Sequence, residues 1–319
     1  MIDGRVVPVI LGPTCSWKSE VACRLAELLG ADIVSCDSMQ VYKGLEIGTA
    51  QPSVQMRARV PHHLVGCMDI AERYDAGRFV EMANATIRCL AERGRRVVLV
   101  GGTGLYARAL VYGLDLLPGD QAISMALRPL LETDDGRQSL WNEMLTAVSS
   151  LDEIPRDVWL NPRRWLRACE VLRITGKLPW QFRQKNNEPR KDFMQFCIIP
   201  DFTMLKDRIR ERTVDMLRRG WVQEAVCASR NGLMDSPTAR QALGYRDILE
   251  FVDSHMIPLD EAQEAELAVL LANRTIQYAR RQMTWFKHQH PGAVMIPVDS
   301  SDNACETILK RVVGAIEAM

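Results

Sequence analysis

The sequence has no Cys-x-x-Cys pair and no cysteine–histidine cluster at zinc spacing, which argues against a zinc ribbon or finger. Its nine cysteines are scattered and odd in number, the usage of reduced thiols rather than of a disulfide framework. No apolar run reaches the roughly 20 residues that a membrane-spanning helix needs. The opening MIDGRVVPVILG lacks a signal-peptide layout, so the expected place is the cytoplasm, with no membrane partner. Charge of either sign is also lacking in excess: 40 basic residues face 40 acidic ones. That excludes attraction of nucleic acid by the whole surface and leaves room for a local basic patch. Internal repeats and low-complexity tracts are absent, which excludes a solenoid.

What is there is an ordinary globular composition, 47% hydrophobic and 25% charged over 319 residues, enough for one large domain with an insertion or for two modest ones. Five short runs rich in β-branched residues stand out: VVPVILG from Val6, DIVSCD from Asp32, RVVLVGG from Arg96, FCIIPD from Phe196 and AVMIPVD from Ala293. Each is nearly continuously apolar, as strands buried on both faces of a parallel sheet are. Between them lie helical periods. Val21, Ala22, Leu25, Leu28 and Leu29 share one face, as do Phe79, Val80, Ala83, Ile87, Leu90 and Ala91. The alternation predicts an α/β fold with a mainly parallel sheet and ligands at the carboxyl ends of its strands. From 119 to 190 the strand signal stops, predicting a helical insertion between a core of 1–118 and 191–319. A long helical region then runs from Thr203 to about His288, broken near Asn231-Gly232 and Ser254–Pro258.

GPTCSWKS (Gly12, Pro13, Thr14, Cys15, Ser16, Trp17, Lys18, Ser19) ends a strand and opens a helix. In that context backbone N–H groups and a helix N-terminus favour an anion, lysine pairs with phosphate oxygens, and the serine hydroxyl suits Mg²⁺. The usual pattern has glycine before the lysine; Trp17 stands there instead, which costs about 1–3 kcal/mol if its dihedrals are strained. Asp37, in CDSMQVY, falls at the tip of the second strand, where a carboxylate serves as a general base or simply as a turn residue. GGTGLY, Gly101 to Tyr106, offers close backbone approach and the Thr103 hydroxyl, or only a glycine-rich turn. Arg164 and Arg167, three apart on one helix, suit a phosphate clamp or a solvated face. Arg274, Tyr278, Arg281 and Trp285 line one side of a later helix; basic and aromatic side chains interleaved suit RNA, and equally a surface helix with buried aromatics.

Taken in order, these motifs resemble the tRNA dimethylallyltransferase (isopentenyltransferase) family. The resemblance rests on GPTCSWKS, DSMQVYKGLEIGTAQPS (Asp37 to Ser53), PHHL (Pro61 to Leu64) and GGTGLY. It continues through RRWLRACEV (Arg163 to Val171), RQALGYRD (Arg240 to Asp247) and RRQMTWFK (Arg280 to Lys287), so that it spans nearly the whole chain. It implies transfer of a dimethylallyl group from dimethylallyl diphosphate to N6 of the adenosine 3′ of the anticodon, in tRNAs that read codons beginning with U. It also implies a phosphate-loop core with a helical insertion, a monomer that grips the anticodon stem-loop, and Mg²⁺ as cofactor. Asp37 then looks like the base and Thr103 a neighbour of the reacting amine. The loop residues with Arg164 and Arg212 look like diphosphate contacts. Asp37, Ser38, Met39, Gln40, Thr103, Arg163, Arg164, Trp165, Leu166, Arg167, Gln241, Arg246, Arg274 and Arg281 look like tRNA contacts. The chain departs from the family at Trp17, at Arg163, where glutamine is common, and at SMALRP (Ser124 to Pro129), which lacks an arginine-rich start. Three alternatives stand beside this reading: an adenine-nucleotide prenyltransferase, a tRNA-binding relative impaired by Trp17, and, from the loop alone, a nucleotide kinase.

Overall fold

A computed structural model describes residues 6–113, 117–182, 188–255 and 257–318. The sequence QKNNEPR, Gln184 to Arg190, is polar and turn-like, and it lies outside them as far as Asn187. The chain divides into two compact units, Met1–Gly113 with Glu188–Met319, and Leu114–Asn187.

In the larger unit the order is β1 (Val7–Leu11), α1 (Lys18–Leu29), β2 (Ala31–Ser35), α2 (Val54–Arg59), β3 (His62–His63), α3 (Ala76–Glu92), β4 (Arg96–Gly101) and α4 (Gly104–Tyr112). The smaller unit contributes α5 (Gln121–Leu127), α6 (Asp134–Leu145), α7 (Arg156–Trp159) and α8 (Pro162–Thr175). The larger unit then resumes with β5 (Phe193–Pro200), α9 (Phe202–Arg218), α10 (Trp221–Arg230), α11 (Tyr245–Asp253), α12 (Glu261–Gln289), β6 (Val294–Val298) and α13 (Ala304–Glu317). The sheet runs β3-β2-β4-β1-β5-β6, and every neighbouring pair is parallel.

Parallel strands need cover on both faces, and two apolar clusters supply it. One packs Val21, Ala22 and Leu25 of α1 and Ile308 and Val312 of α13 against Ile10, Ile33 and Phe196. The other packs Phe79 and Ile87 of α3, Leu110 of α4 and Phe286 of α12 against Val9, Leu11 and Leu99. The five apolar runs are β1, β2, β4, β5 and β6. Four expectations change. Leu28 is 66% exposed because it lies past the face that α1 buries. β6 ends the sheet and shows alternating exposure rather than full burial. The two-residue β3, within PHHL, is too short for a periodic signal. The helical region after Thr203 breaks also at Gly220, which takes φ 98°.

The smaller unit has a core of its own, formed by Leu127, Leu140, Met144, Trp165, Ala168 and Leu178. Within it the Arg167 guanidinium donates to Glu170 at 2.8 Å and to the Leu117 carbonyl.

Candidate active site

In an open parallel sheet, loops after adjacent strands converge at the carboxyl edge. Here β1 leads into the phosphate loop, β2 into Asp37 and β4 into Thr103. Two glycines let the backbones close up. A Cβ on Gly12 would stand 2.6 Å from Ser16 Oγ, and one on Gly101 would stand 1.9 Å from the Cys36 carbonyl oxygen.

The loop after β1 carries unusual residues. Cys15 and Trp17 both take φ 62° in the left-handed region. Non-glycine residues there cost about 1–3 kcal/mol each unless the surroundings hold them. Cys15 is buried among Leu205, Ile209, Ala272 and Ala279 of α9 and α12. The Trp17 ring lies under the Arg208 guanidinium, 4.0 Å from its carbon. Thr14 donates its N–H to Gln282 Oε1 at 2.9 Å, and Gln282 Nε2 donates to the Gly102 carbonyl at 2.8 Å. One α12 side chain thus ties the β1 loop to the β4 loop. Arg212 donates to Thr14 Oγ1. Ser16 Oγ is buried and, among the described residues, has no hydrogen-bond partner, an orphan donor and acceptor inside the loop that an oxyanion would satisfy.

Lys18 Nζ donates to the Pro13 carbonyl at 3.0 Å. Burial pulls its pKa down to about 8, Asp37 opposes that, and Arg212 adds to it. An open pocket of about 500 Å³ is lined by Cys15 to Glu20 together with Met56, Arg208, Glu211, Arg212 and Asp215. On the inner side, one narrow gap is bounded in common by Lys18, Ser19, Asp37, Gln40 and His62.

Asp37 Oδ1 accepts from the N–H groups of Met39, at 2.9 Å, and Gln40, at 3.3 Å. The carboxylate therefore makes the turn that the sequence also allowed. Thr103 Oγ1 accepts from the Ser38 N–H at 3.0 Å. Loop, Asp37, Ser38, Gln40, Thr103 and Arg212 come together at one edge of the larger unit. Arg163, Arg164, Trp165, Leu166 and Arg167 lie on α8 of the smaller unit. There Trp165 is buried and meets Trp141 edge-on, so its ring belongs to that unit's core.

Gln241 and Arg246 are exposed near and on α11. Arg274 and Arg281 are exposed on α12; Arg274 pairs with Asp247 at 3.0 Å, and Arg281 lies 5.9 Å from the Tyr278 ring. Trp285 of the same stripe packs against the core instead. Sequence reasoning missed Gln282 and Arg208. Gln282 carried a signal, being a polar residue on the apolar face of α12; Arg208 carried none among the many arginines of α9.

The chain matches the family profile described as IPP transferase over residues 40–289, and Isopentenyl transferase over residues 5–60. It is 38% identical to a tRNA dimethylallyltransferase of Thermus thermophilus over 92% of this chain and 93% of that one. With the tRNA dimethylallyltransferase of Halorhodospira halophila the figures are 39%, 96% and 98%. The crystal structure of a tRNA isopentenylpyrophosphate transferase from Bacillus halodurans superposes with a TM-score of 0.67 at 28% identity, covering 98% of this chain and 97% of that chain.

Proposed function

The chain belongs to the tRNA dimethylallyltransferase family, prenyltransferases that modify adenosine 37 of tRNA, and from that premise we propose how its own residues carry the transfer. The phosphate loop takes the diphosphate of dimethylallyl diphosphate. Lys18 and Arg212 meet its charge, the loop N–H groups and Ser16 Oγ meet its oxygens, and Arg164 of the smaller unit is a further cation that the family resemblance assigns to the same ligand. The adenosine amine attacks the allylic carbon: its N–C bond forms as the carbon–oxygen bond to diphosphate breaks. The N6 proton passes to Asp37, whose Oδ1 is engaged in the turn and whose Oδ2 takes it. Charge on the leaving diphosphate is stabilised where it develops. Thr103 orients the Ser38 end of the base-binding loop.

Among the described residues no group of three or more His, Cys, Asp or Glu side chains is arranged to hold a metal. Mg²⁺ fits this donor set because it keeps several waters and leans on substrate phosphates. The Ser19 hydroxyl would hold it, and when bound it neutralises diphosphate charge.

tRNA binds through the Asp37–Gln40 turn, the exposed face carrying Gln241, Arg246, Arg274 and Arg281, and α8. The target base lies in a stacked loop and is extruded to reach Asp37. In this reading the chain acts as a monomer. Among the described residues no helix is long and apolar enough to cross a membrane.

The observation that carries this reading is the convergence of Lys18, Ser19 and Asp37 on one gap. The test is transfer of labelled dimethylallyl from its diphosphate to an anticodon stem-loop, with AMP as the competing acceptor. The wild type labels the stem-loop and not AMP. Asp37→Ala abolishes labelling while stem-loop binding survives. Absence of wild-type labelling at any enzyme concentration would overturn the proposal.

A further inference from the structure

Three residues of the phosphate loop are held by one face of α9. Arg208 Nε donates to the Cys15 carbonyl at 3.1 Å, and the Cys15 thiol approaches the Arg208 carbonyl at 3.8 Å. The Arg208 guanidinium covers the Trp17 ring at 4.0 Å. One helical turn on, Arg212 donates to the Thr14 hydroxyl. Both phosphate-loop residues in the left-handed region, Cys15 and Trp17, are thus fastened to the same arginine.

The two arginines are differently committed. Arg208 spends its flat face on an indole and its Nε–H on a backbone carbonyl. Among the described residues, Arg212 hydrogen-bonds the loop at the Thr14 hydroxyl. A planar guanidinium can stack and donate at once; an ammonium cannot reproduce both.

We propose that Arg208 is a positioning residue for the diphosphate site. With Trp17 it forms a clasp that fixes the loop in its anion-ready conformation before the ligand arrives. Glycine at that position would leave the loop more conformations to lose on binding. A clasped loop has already lost them, and pre-organisation of this kind appears as affinity. The departure at position 17 and the arginine on α9 are then two halves of one device. The inference rests on the reading of the loop as a diphosphate site.

The test is a double-mutant cycle on the full chain, with Mg²⁺-pyrophosphate as probe in calorimetry and dimethylallyl diphosphate with a stem-loop in kinetics. Arg208→Gln is expected to weaken pyrophosphate binding about tenfold, the size of one partly desolvated cation–π contact and one hydrogen bond. It raises KM for the prenyl diphosphate by the same factor and leaves kcat within about twofold, a split that mere loss of folded protein does not give. Arg208→Lys, which keeps the charge and serves even if the glutamine variant folds poorly, weakens binding nearly as much. With Trp17→Gly already in place, only the hydrogen bond to the Cys15 carbonyl is left to lose, and Arg208→Gln weakens binding by about threefold or less.

Full affinity in Arg208→Lys overturns the clasp, as does an equal loss from Arg208→Gln with and without Trp17→Gly; either marks Arg208 as a plain anion contact. Wild-type protein that binds the stem-loop but not pyrophosphate removes the diphosphate reading itself, and the clasp's purpose with it. The two failures therefore look different.

Discussion

Lys18 gives the site its pH dependence. Burial holds its pKa near 8, so in the free enzyme the ammonium is lost as pH rises through that value. Only the charged form attracts diphosphate. The expected result is a kcat/KM for dimethylallyl diphosphate that is flat below about pH 8 and falls tenfold per pH unit above it. Bound diphosphate favours the charged lysine, so kcat at saturation stays flat to higher pH. A kcat/KM profile unchanged to pH 9.5 would remove Lys18 from the anion site. His290 sets an acid limit by the opposite logic. Burial, the largest cause, pushes its pKa down to about 4, and its Nδ1 donates to Gln195 Oε1 at 2.8 Å. Between about pH 4 and 6.5 the unfolded chain binds a proton that the folded chain refuses. Stability from this residue is full above pH 6.5 and is lost as pH falls through that window, by up to about 3 kcal/mol. Urea midpoints at pH 7 and pH 5, compared with those of His290→Gln, measure it: the variant should show the smaller drop. Trp17 shows how far reading at this scale reaches. The sequence marks it as out of pattern; its partner lies on α9, 193 residues from Cys15, which the same arginine holds, and nothing local points there.

At the scale of elements, the Asp37–Ser53 string turns out to be a folded loop pinned by α10. Glu224 accepts from the N–H groups of Ile47 at 2.7 Å and Gly48 at 2.8 Å, and from the Tyr245 hydroxyl at 2.6 Å. Gln40 Nε2 reaches the Thr49 and Ala50 carbonyls at 3.3 and 3.0 Å, which joins the pinned part to the Asp37 turn. Glu224→Ala strands two backbone donors and a phenol, an expected loss of about 3 kcal/mol. Glu224→Gln retains an acceptor and should lose about half as much. Chemical denaturation checks both, and equal losses would mean that the carboxylate serves only as packing. The same contacts explain what was legible. Five strands and their helices announce themselves because strand and helix periods differ and the sheet is buried on both faces. The motifs at the ends of β1, β2 and β4 follow from that order alone. Gln282 and Glu224 act through chain crossings that no local period encodes, and β3 is too short to have one.

At the scale of the whole molecule, zero net charge offers no general field for a polyanion, and the chain divides into two compact units. The Arg190 N–H donates to the Val111 carbonyl at 2.8 Å, so the chain leaves the larger unit and re-enters it at neighbouring points. Residues 114–187 can therefore be replaced by a short glycine–serine linker at little cost in loop closure. The larger unit keeps its sheet and both faces of its core, and the deleted chain should unfold in one cooperative transition. It also keeps Lys18, Ser16 and Arg212. If Arg164 clamps the diphosphate, the deletion should weaken Mg²⁺-pyrophosphate binding by about 10–100-fold, the range for one charge-assisted contact, and Arg164→Ala in the full chain should weaken it equally. Stem-loop binding should fall more in the deletion than in Arg164→Ala, because Arg163 and Arg167 leave with it. A deletion that binds pyrophosphate as tightly as the full chain would confine the diphosphate site to the larger unit and leave α8 to the tRNA alone.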